Sequence, residues 1–338
     1  MLHRHQSYQR QFFDRLAKKF STRAEMVAGI SSVLVVGRDA VYRRMRGDTT
    51  LSADELVALA REYKIGLEMN RERRMAAFLV PGADRRLESE IDYYRQFRQH
   101  TSQIINFPDV SIDYATAELP IFYELSQPLL ARFKTFMFGI TSWRLERWQA
   151  LNFDPALIHP GALDYIDEIV NDSFHLPGRE LWSVSIMDVT CRQIEYMVEV
   201  HRLRDADLVE QLYQELHNIV DHLETMARMG QRFLMGSQPT PDSPTFEVHM
   251  NELSNTNNCV IIHTSEQPIV FTTITNPGYA ISTDRRIYDS TTQWFDSLLQ
   301  HSTRLGPSSA KYTAVYFAKL REKLNSSRTR VVAELPTE

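Results

Sequence analysis

Nine consecutive positions, 38–46, hold Arg38, Asp39, Tyr42, Arg43, Arg44 and Arg46. Each guanidinium is a permanent cation that presents a planar fork of N–H donors. That fork fits two kinds of acceptor, the oxygens of a phosphate and the O6/N7 edge of guanine. Tyr42 adds a hydroxyl, and Asp39 adds an acceptor suited to a cytosine amine. No other cluster in the chain points to a defined chemistry. There is no Gly-x-Ser-x-Gly elbow, Walker loop or dinucleotide fingerprint. With 12 glycines in 338 residues, phosphate-cradling loops are not expected.

The elements that must carry these side chains can be read around them. Ala24 to Ser32 is short and apolar, Val35-Val36-Gly37 follows as a tight turn, and a second helix runs from Arg38 until Gly47 ends it. Val41 and Met45 lie four apart on that second helix, so they share a face that can bury against the first. Ser52-Ala-Asp-Glu55 is a capping box that starts a third helix, with Leu56, Leu59, Ala60 and Tyr63 as its buried stripe. Two short helices joined by a tight turn, the second cationic, have the form of a helix-turn-helix reader of double-stranded DNA. Arg38, Asp39 and Tyr42, near the start of the second helix, are the expected base-edge contacts. Arg43, Arg44 and Arg46, later in it, are the expected phosphate partners. A small helical bundle with a solvated arginine face is the competing structural account.

Charge is distributed to match. Residues 1–75 hold 15 Lys+Arg against 9 Asp+Glu, a net of +6, while the whole chain carries −5, which leaves −11 for residues 76–338. A basic head on an acidic body directs only the head toward a polyanion. At 43% hydrophobic and 24% charged, the composition is that of a globular protein with substantial cores. No run approaches the ~20 apolar residues of a membrane span, and the first residues lack the apolar core of a signal peptide. Cys191 and Cys259 stand alone, so buried structural thiols in a reducing cytoplasm are expected.

Along the chain, Gln6–Lys19 reads as an amphipathic helix with Tyr8, Phe12, Phe13, Leu16 and Phe20 on one face. Residues 68–80 continue helically with Arg71, Arg73 and Arg74, and Pro81-Gly82 marks a boundary. Residues 84–106, 120–143, 162–174, 181–203 and 207–235 read as helices, with a strand or extended linker at 110–119 and a turn at Pro177-Gly178. After the turn-rich 236–244 come four short β-branched segments (246–253, 258–264, 268–275 and 279–283), which predict an antiparallel meander. Two helices follow, 286–303 and 308–324, then a polar tail expected to fray. The predicted fold class is mainly α with a smaller α+β part. The head spans 1–80, a helical dimerisation or sensor region spans 84–235, and an α+β unit spans 245–325, the last two open to being one domain.

Residues 23–67 resemble the lambda-repressor-like helix-turn-helix in the divergent form found in regulators from Bacteroidetes. The resemblance rests on DAVYRRMRGDTTLSADELVALAREYKIGL: a recognition helix ending in Arg-Gly, a loop, then the Leu-Ser-x-x-Glu-Leu start. More weakly, the body resembles the companion region of the same regulators through LPIFYEL at 119–125, the Phe-rich stretch 133–138, CRQIEYM at 191–197, and the 282–303 segment with YFAKLREKL. The resemblance implies a cytoplasmic, DNA-binding transcription regulator without catalytic activity. The C-terminal unit is also similar in outline to phospholipase-D-like regulatory folds, but neither His249 nor His263 is followed by the lysine that such catalysis uses.

Other constellations are weaker. His217 and Asp221 share a helical face at metal-chelating spacing, but with no third ligand in view a solvated face explains them better, and no metal or cofactor is expected. Asp164, Asp167, Glu168 and Asp172 read as a solvent-facing acidic run. Phe122, Tyr123, Phe133, Phe136, Phe138 and Trp143 form core or the lining of an apolar pocket. The leading expectation is therefore a homodimeric transcription regulator with a small-molecule or protein effector of unspecified identity and no membrane partner. The alternative is a protein-interaction module on a helix-turn-helix fold that does not bind DNA, kept open by Asp39, whose carboxylate sits poorly beside phosphates.

Overall fold

Thr22 and Ser52 each accept a hydrogen bond from the backbone N–H three residues on, and the carboxylates of Glu25 and Glu55 accept one from the backbone N–H of the cap. These two capping boxes start α2 (Arg23–Leu34) and α4 (Ala53–Glu62), with α1 (Tyr8–Ala17) before them and α3 (Arg38–Arg46) between. The computed structural model describes residues 8–63, 65, 87–252, 258–275 and 277–335. The helix expected over 68–80 with its three arginines, and the Pro81-Gly82 boundary, lie outside them. The chain forms two compact units, Met1–Met75 and Ala76–Glu338.

In the smaller unit Phe12, Leu16, Ile30, Val41 and Leu59 are fully buried, which joins all four helices in one core. Val35, at the end of α2, takes a left-handed conformation with φ 51° and is 89% exposed. That conformation is costly for a β-branched residue. The turn is held by Val36 N–H donating to the Ser31 carbonyl at 3.2 Å and by the Ser31 hydroxyl donating to the Val36 carbonyl. Gly47, with φ 87°, ends α3, and Asp48 N–H returns to the Arg43 carbonyl at 2.9 Å. Gln9 ties α1 to the far end of α3. Its amide donates to the carbonyls of Arg44 (2.7 Å) and Thr49 (2.8 Å) and accepts from Leu51 N–H (2.8 Å).

The larger unit is built on a seven-stranded mixed sheet. In chain order come α5 (Glu90–Ile105), β1 (Ser111–Ala115), α6 (Ile121–Leu125), α7 (Pro128–Thr141), α8 (Pro160–Phe174), β2 (Gly178–Trp182), α9 (Asp188–Glu199) and α10 (Ala206–Met229). Then follow β3 (Phe246–Met250), β4 (Cys259–His263), β5 (Ile269–Thr275), β6 (Gly278–Ser282), α11 (Arg285–Gln300), β7 (Thr303–Leu305) and α12 (Ala310–Glu334). The strand order is β6-β5-β4-β1-β2-β3-β7, with β1, β2 and β3 parallel and the other pairings antiparallel. One face of the sheet carries Trp182, Phe246 and Val248 into the main core among the helices. The other buries Ala115, Leu181, Ile261 and Val270 under Phe295 of α11. Among the described residues no helix is long and apolar enough to cross a membrane.

Four expectations need correction. Residues 181–203 are not one helix, since β2 ends at Trp182 and α9 begins at Asp188. Gly178 belongs to a strand rather than a turn, and a Cβ there would stand 2.4 Å from the Ile112 carbonyl oxygen, so close pairing with β1 needs glycine. The predicted four-stranded meander holds only for β4-β5-β6, because β3 leaves it to lie parallel to β2. The tail after 325 does not fray at once. α12 runs to Glu334 because Ser327 and Val331 are buried, and Ser327 Oγ bonds the Tyr213 hydroxyl at 2.7 Å. Since β1 and β2 share a sheet with β3–β7, the regions 84–235 and 245–325 merge into one fold.

Candidate nucleic-acid interface

Helix α3 is anchored on one side and open on the other. Val41 is wholly buried and Met45 half-buried against the small core, while Arg38, Asp39, Arg43 and Arg46 are exposed. Asp39 sits in the first turn, where a carboxylate interacts favourably with the positive end of the helix. That supplies a structural reason for an acid on an otherwise cationic surface. Tyr42 is half-buried against the core, with the Arg23 guanidinium 5.9 Å from its ring centre. Arg46 is exposed and pairs with Asp48 at 2.9 Å.

Arg44 departs from the expected set. Its guanidinium bonds Glu55 of α4 at 2.7 Å and the Ala40 carbonyl at 3.1 Å, and its side chain is only 16% exposed. The hydrogen bond from Arg44 is the main reason the Glu55 carboxyl lies below its ordinary value. Helical spacing already contains this result. Position 44 is three after Val41 and next to Met45, so it belongs to the inward side.

Among the described residues of the larger unit, the following polar centres bear on chemistry. Glu180, buried in β2, accepts from the Tyr123 hydroxyl (2.8 Å), Trp182 Nε1 (2.8 Å) and Arg232 (2.7 Å). Glu124 and Lys134, also buried, face each other at 3.1 Å, and Lys134 Nζ donates further to Thr190 (3.2 Å) and Gln193 (2.9 Å). Burial pushes Glu124 and Glu180 upward against the pull of these cations.

The third centre lies under α11. His263 Nε2 bonds Asp113 at 2.7 Å, its Nδ1 bonds the Tyr288 hydroxyl at 2.6 Å, and Arg179 grips both Asp113 oxygens at 2.8 and 2.6 Å. Both nitrogens of His263 are thus engaged, which ties α11 to the sheet. Burial alone would raise Asp113, but the bonds from His263 and Arg179 and their charges outweigh it and hold the carboxyl low. A depressed carboxylate stabilises the fold above the unfolded-state value of about 4 and loses that contribution as pH falls toward the folded-state value. Asp113→Asn should therefore cost about 2–3 kcal/mol at pH 7, as a charge-assisted network of this kind does. The deficit should shrink at pH 3. Urea titrations at the two pH values measure it, and an equal deficit at both would exclude the linkage.

Several remaining residues go to structural roles. His217 bonds Asn325 at 3.1 Å, and Asp221 pairs with Arg321 at 2.6 Å. Among the described residues no cluster of three or more His, Cys, Asp or Glu is arranged to hold a metal. The acidic run on α8 is not wholly solvated, because Arg98 of α5 binds Glu168 (2.5 Å) and the buried Asp172 (2.8 Å). Cys191 and Cys259 are buried free thiols, and burial raises both, Cys191 to about 11. Of the six aromatics between 122 and 143, Phe122 and Phe138 border a cavity, and Tyr123, Phe133, Phe136 and Trp143 are core. Comparison with protein-family models, with curated proteins and with solved structures gave no match.

Proposed function

We propose that the chain is a sequence-specific DNA-binding transcription regulator that reads its site with α3. The observation that carries this reading is the two-sidedness of α3. Val41 and Arg44 fasten it to its own unit, while Arg38, Asp39 and Arg43 stand free at the surface of a head with a net charge of +6. In this reading Arg38, Asp39 and the exposed edge of Tyr42 meet base edges, and Arg43 and Arg46 meet phosphates. Arg44 supports the helix and does not touch DNA. One head buries too little surface for useful specificity, so two heads on a symmetric dimer are expected, with half-sites separated by whole DNA turns.

Gel-shift titrations on selected genomic fragments over a range of salt test the assignment. Arg43→Ala should weaken binding to every sequence and reduce the slope of log K against log salt by about 0.9 per head, as removal of one phosphate contact does. Arg44→Ala should leave that slope unchanged and instead lower the stability of the head by about 1 kcal/mol. Tyr42→Ala should weaken operator binding more than binding to random DNA. Wild-type protein that fails to retard any fragment at low salt would return the head to the interaction-module reading.

A further inference from the structure

Within the larger unit, α5, α6 and the helix-rich face of the sheet line a partly open pocket of about 120 Å³. Its walls are mostly apolar, with Phe97, Phe122, Phe138, Ile262 and Phe271 contributing rings and branched chains. The ionised groups on its lining are largely answered by the protein itself. Lys134 is matched by Glu124 at 3.1 Å, Asp172 is matched by Arg98 at 2.8 Å, and Glu118 is held by the Asn258 amide at 2.5 Å. His100 points Nδ1 at the Tyr279 hydroxyl at 2.6 Å, and burial lowers its affinity for a proton. The Tyr93 hydroxyl donates to the Pro277 carbonyl at 3.0 Å.

Tyr114 of β1 is different. It lines the cavity, is only 6% exposed, and among the described residues its hydroxyl has no hydrogen-bond partner. A buried phenol normally finds one. Burial keeps this one in its neutral, donating form. The pocket therefore offers apolar walls, charged groups that already have protein partners, and an idle phenolic donor. It is close in size to the ~150 Å³ apolar cavity that stays dry and takes up benzene.

We propose that this cavity binds an uncharged molecule about the size of one aromatic ring that carries a hydrogen-bond acceptor, with the Tyr114 hydroxyl as the donor to it. An anion would find its potential partners already paired, and a purely hydrocarbon ligand would leave the phenol unsatisfied. The inference is independent of DNA binding, since every lining residue belongs to the larger unit and none to α3.

Calorimetry on the full chain with three probes tests it: acetophenone, toluene and benzoate. Acetophenone should bind about tenfold more tightly than toluene, the worth of one well-formed hydrogen bond, and benzoate should not bind. Tyr114→Phe should remove that tenfold preference and leave toluene unchanged, while Val260→Phe, which fills the space, should abolish both. The proposal is overturned if acetophenone gives no heat with folded protein, if benzoate binds as well as acetophenone, or if acetophenone shows no preference over toluene. It is equally overturned if Tyr114→Phe leaves the preference intact or if a folded Val260→Phe binds as the wild type does. Should Val260→Phe not fold, the conservative Tyr114→Phe decides alone.

Discussion

Lys134→Met is expected to destabilise the larger unit by about 3–5 kcal/mol, the usual cost of stranding one partner of a buried ion pair. Lys134 and Glu124 have side chains only 2% and 3% exposed, so water cannot replace the lost partner. Methionine keeps the volume and the flexible stem, and it removes the donor to Glu124, Thr190 and Gln193 together. The stranded Glu124 will escape its charge by taking up a proton, which raises its folded-state pKa further. A carboxylate raised in the folded state is least harmful below its unfolded value and most harmful once pH exceeds the folded one. The deficit should thus be smaller at pH 5 than at pH 8. Glu124→Leu/Lys134→Met, which removes both charges, should recover most of the loss. The four tryptophans are Trp143, Trp148, Trp182 and Trp294, all in the larger unit, so their fluorescence in urea follows that unit alone. A single variant within 1 kcal/mol of wild type at pH 8 would disprove the buried pairing.

Leu59→Ala should act with similar size on the smaller unit. Leu59 is fully buried in a core that includes Phe12, Ile30 and Val41. Truncation of such a leucine costs about 2–5 kcal/mol, and a unit of this length has little stability in reserve. Circular dichroism should then show a helical transition at lower urea than in wild type, while the tryptophan transition stays in place. DNA retardation should fall in proportion to the unfolded head. Arg43→Ala, by contrast, should weaken retardation with no change in either transition. Movement of the tryptophan midpoint by Leu59→Ala would mean that the two units unfold as one, contrary to this expectation.

The small unit was legible because its signals are local. The Ser52–Glu55 capping box, the Gly47 stop, and Val41 with Met45 at helical spacing are each settled within a turn of helix. The pairing of Arg44 with Glu55 is less legible, because it depends on the face of α3 that Arg44 occupies and on where α4 lies beside it. In the larger unit the failures are of another kind. β2 has parallel neighbours on both sides and is covered on both faces, so no alternation distinguishes Glu180, Leu181 and Trp182 from the start of a helix. Glu180 in particular looks like a surface residue until Tyr123, Trp182 and Arg232 are placed around it.

Taken alone, the order of residues determined the helices of the head, the exposed arginine positions 38, 43 and 46, and the meander β4-β5-β6. These depend on caps, turns and periodicity, which act between residues close in the chain. Tertiary structure alone decided the strand order, the union of 84–235 with 245–325, the pairing of Glu124 with Lys134, and the idle hydroxyl of Tyr114 above a cavity. Those arise from contacts between segments far apart in sequence, where burial sets what each group costs and only the neighbours brought in by folding determine whether that cost is met.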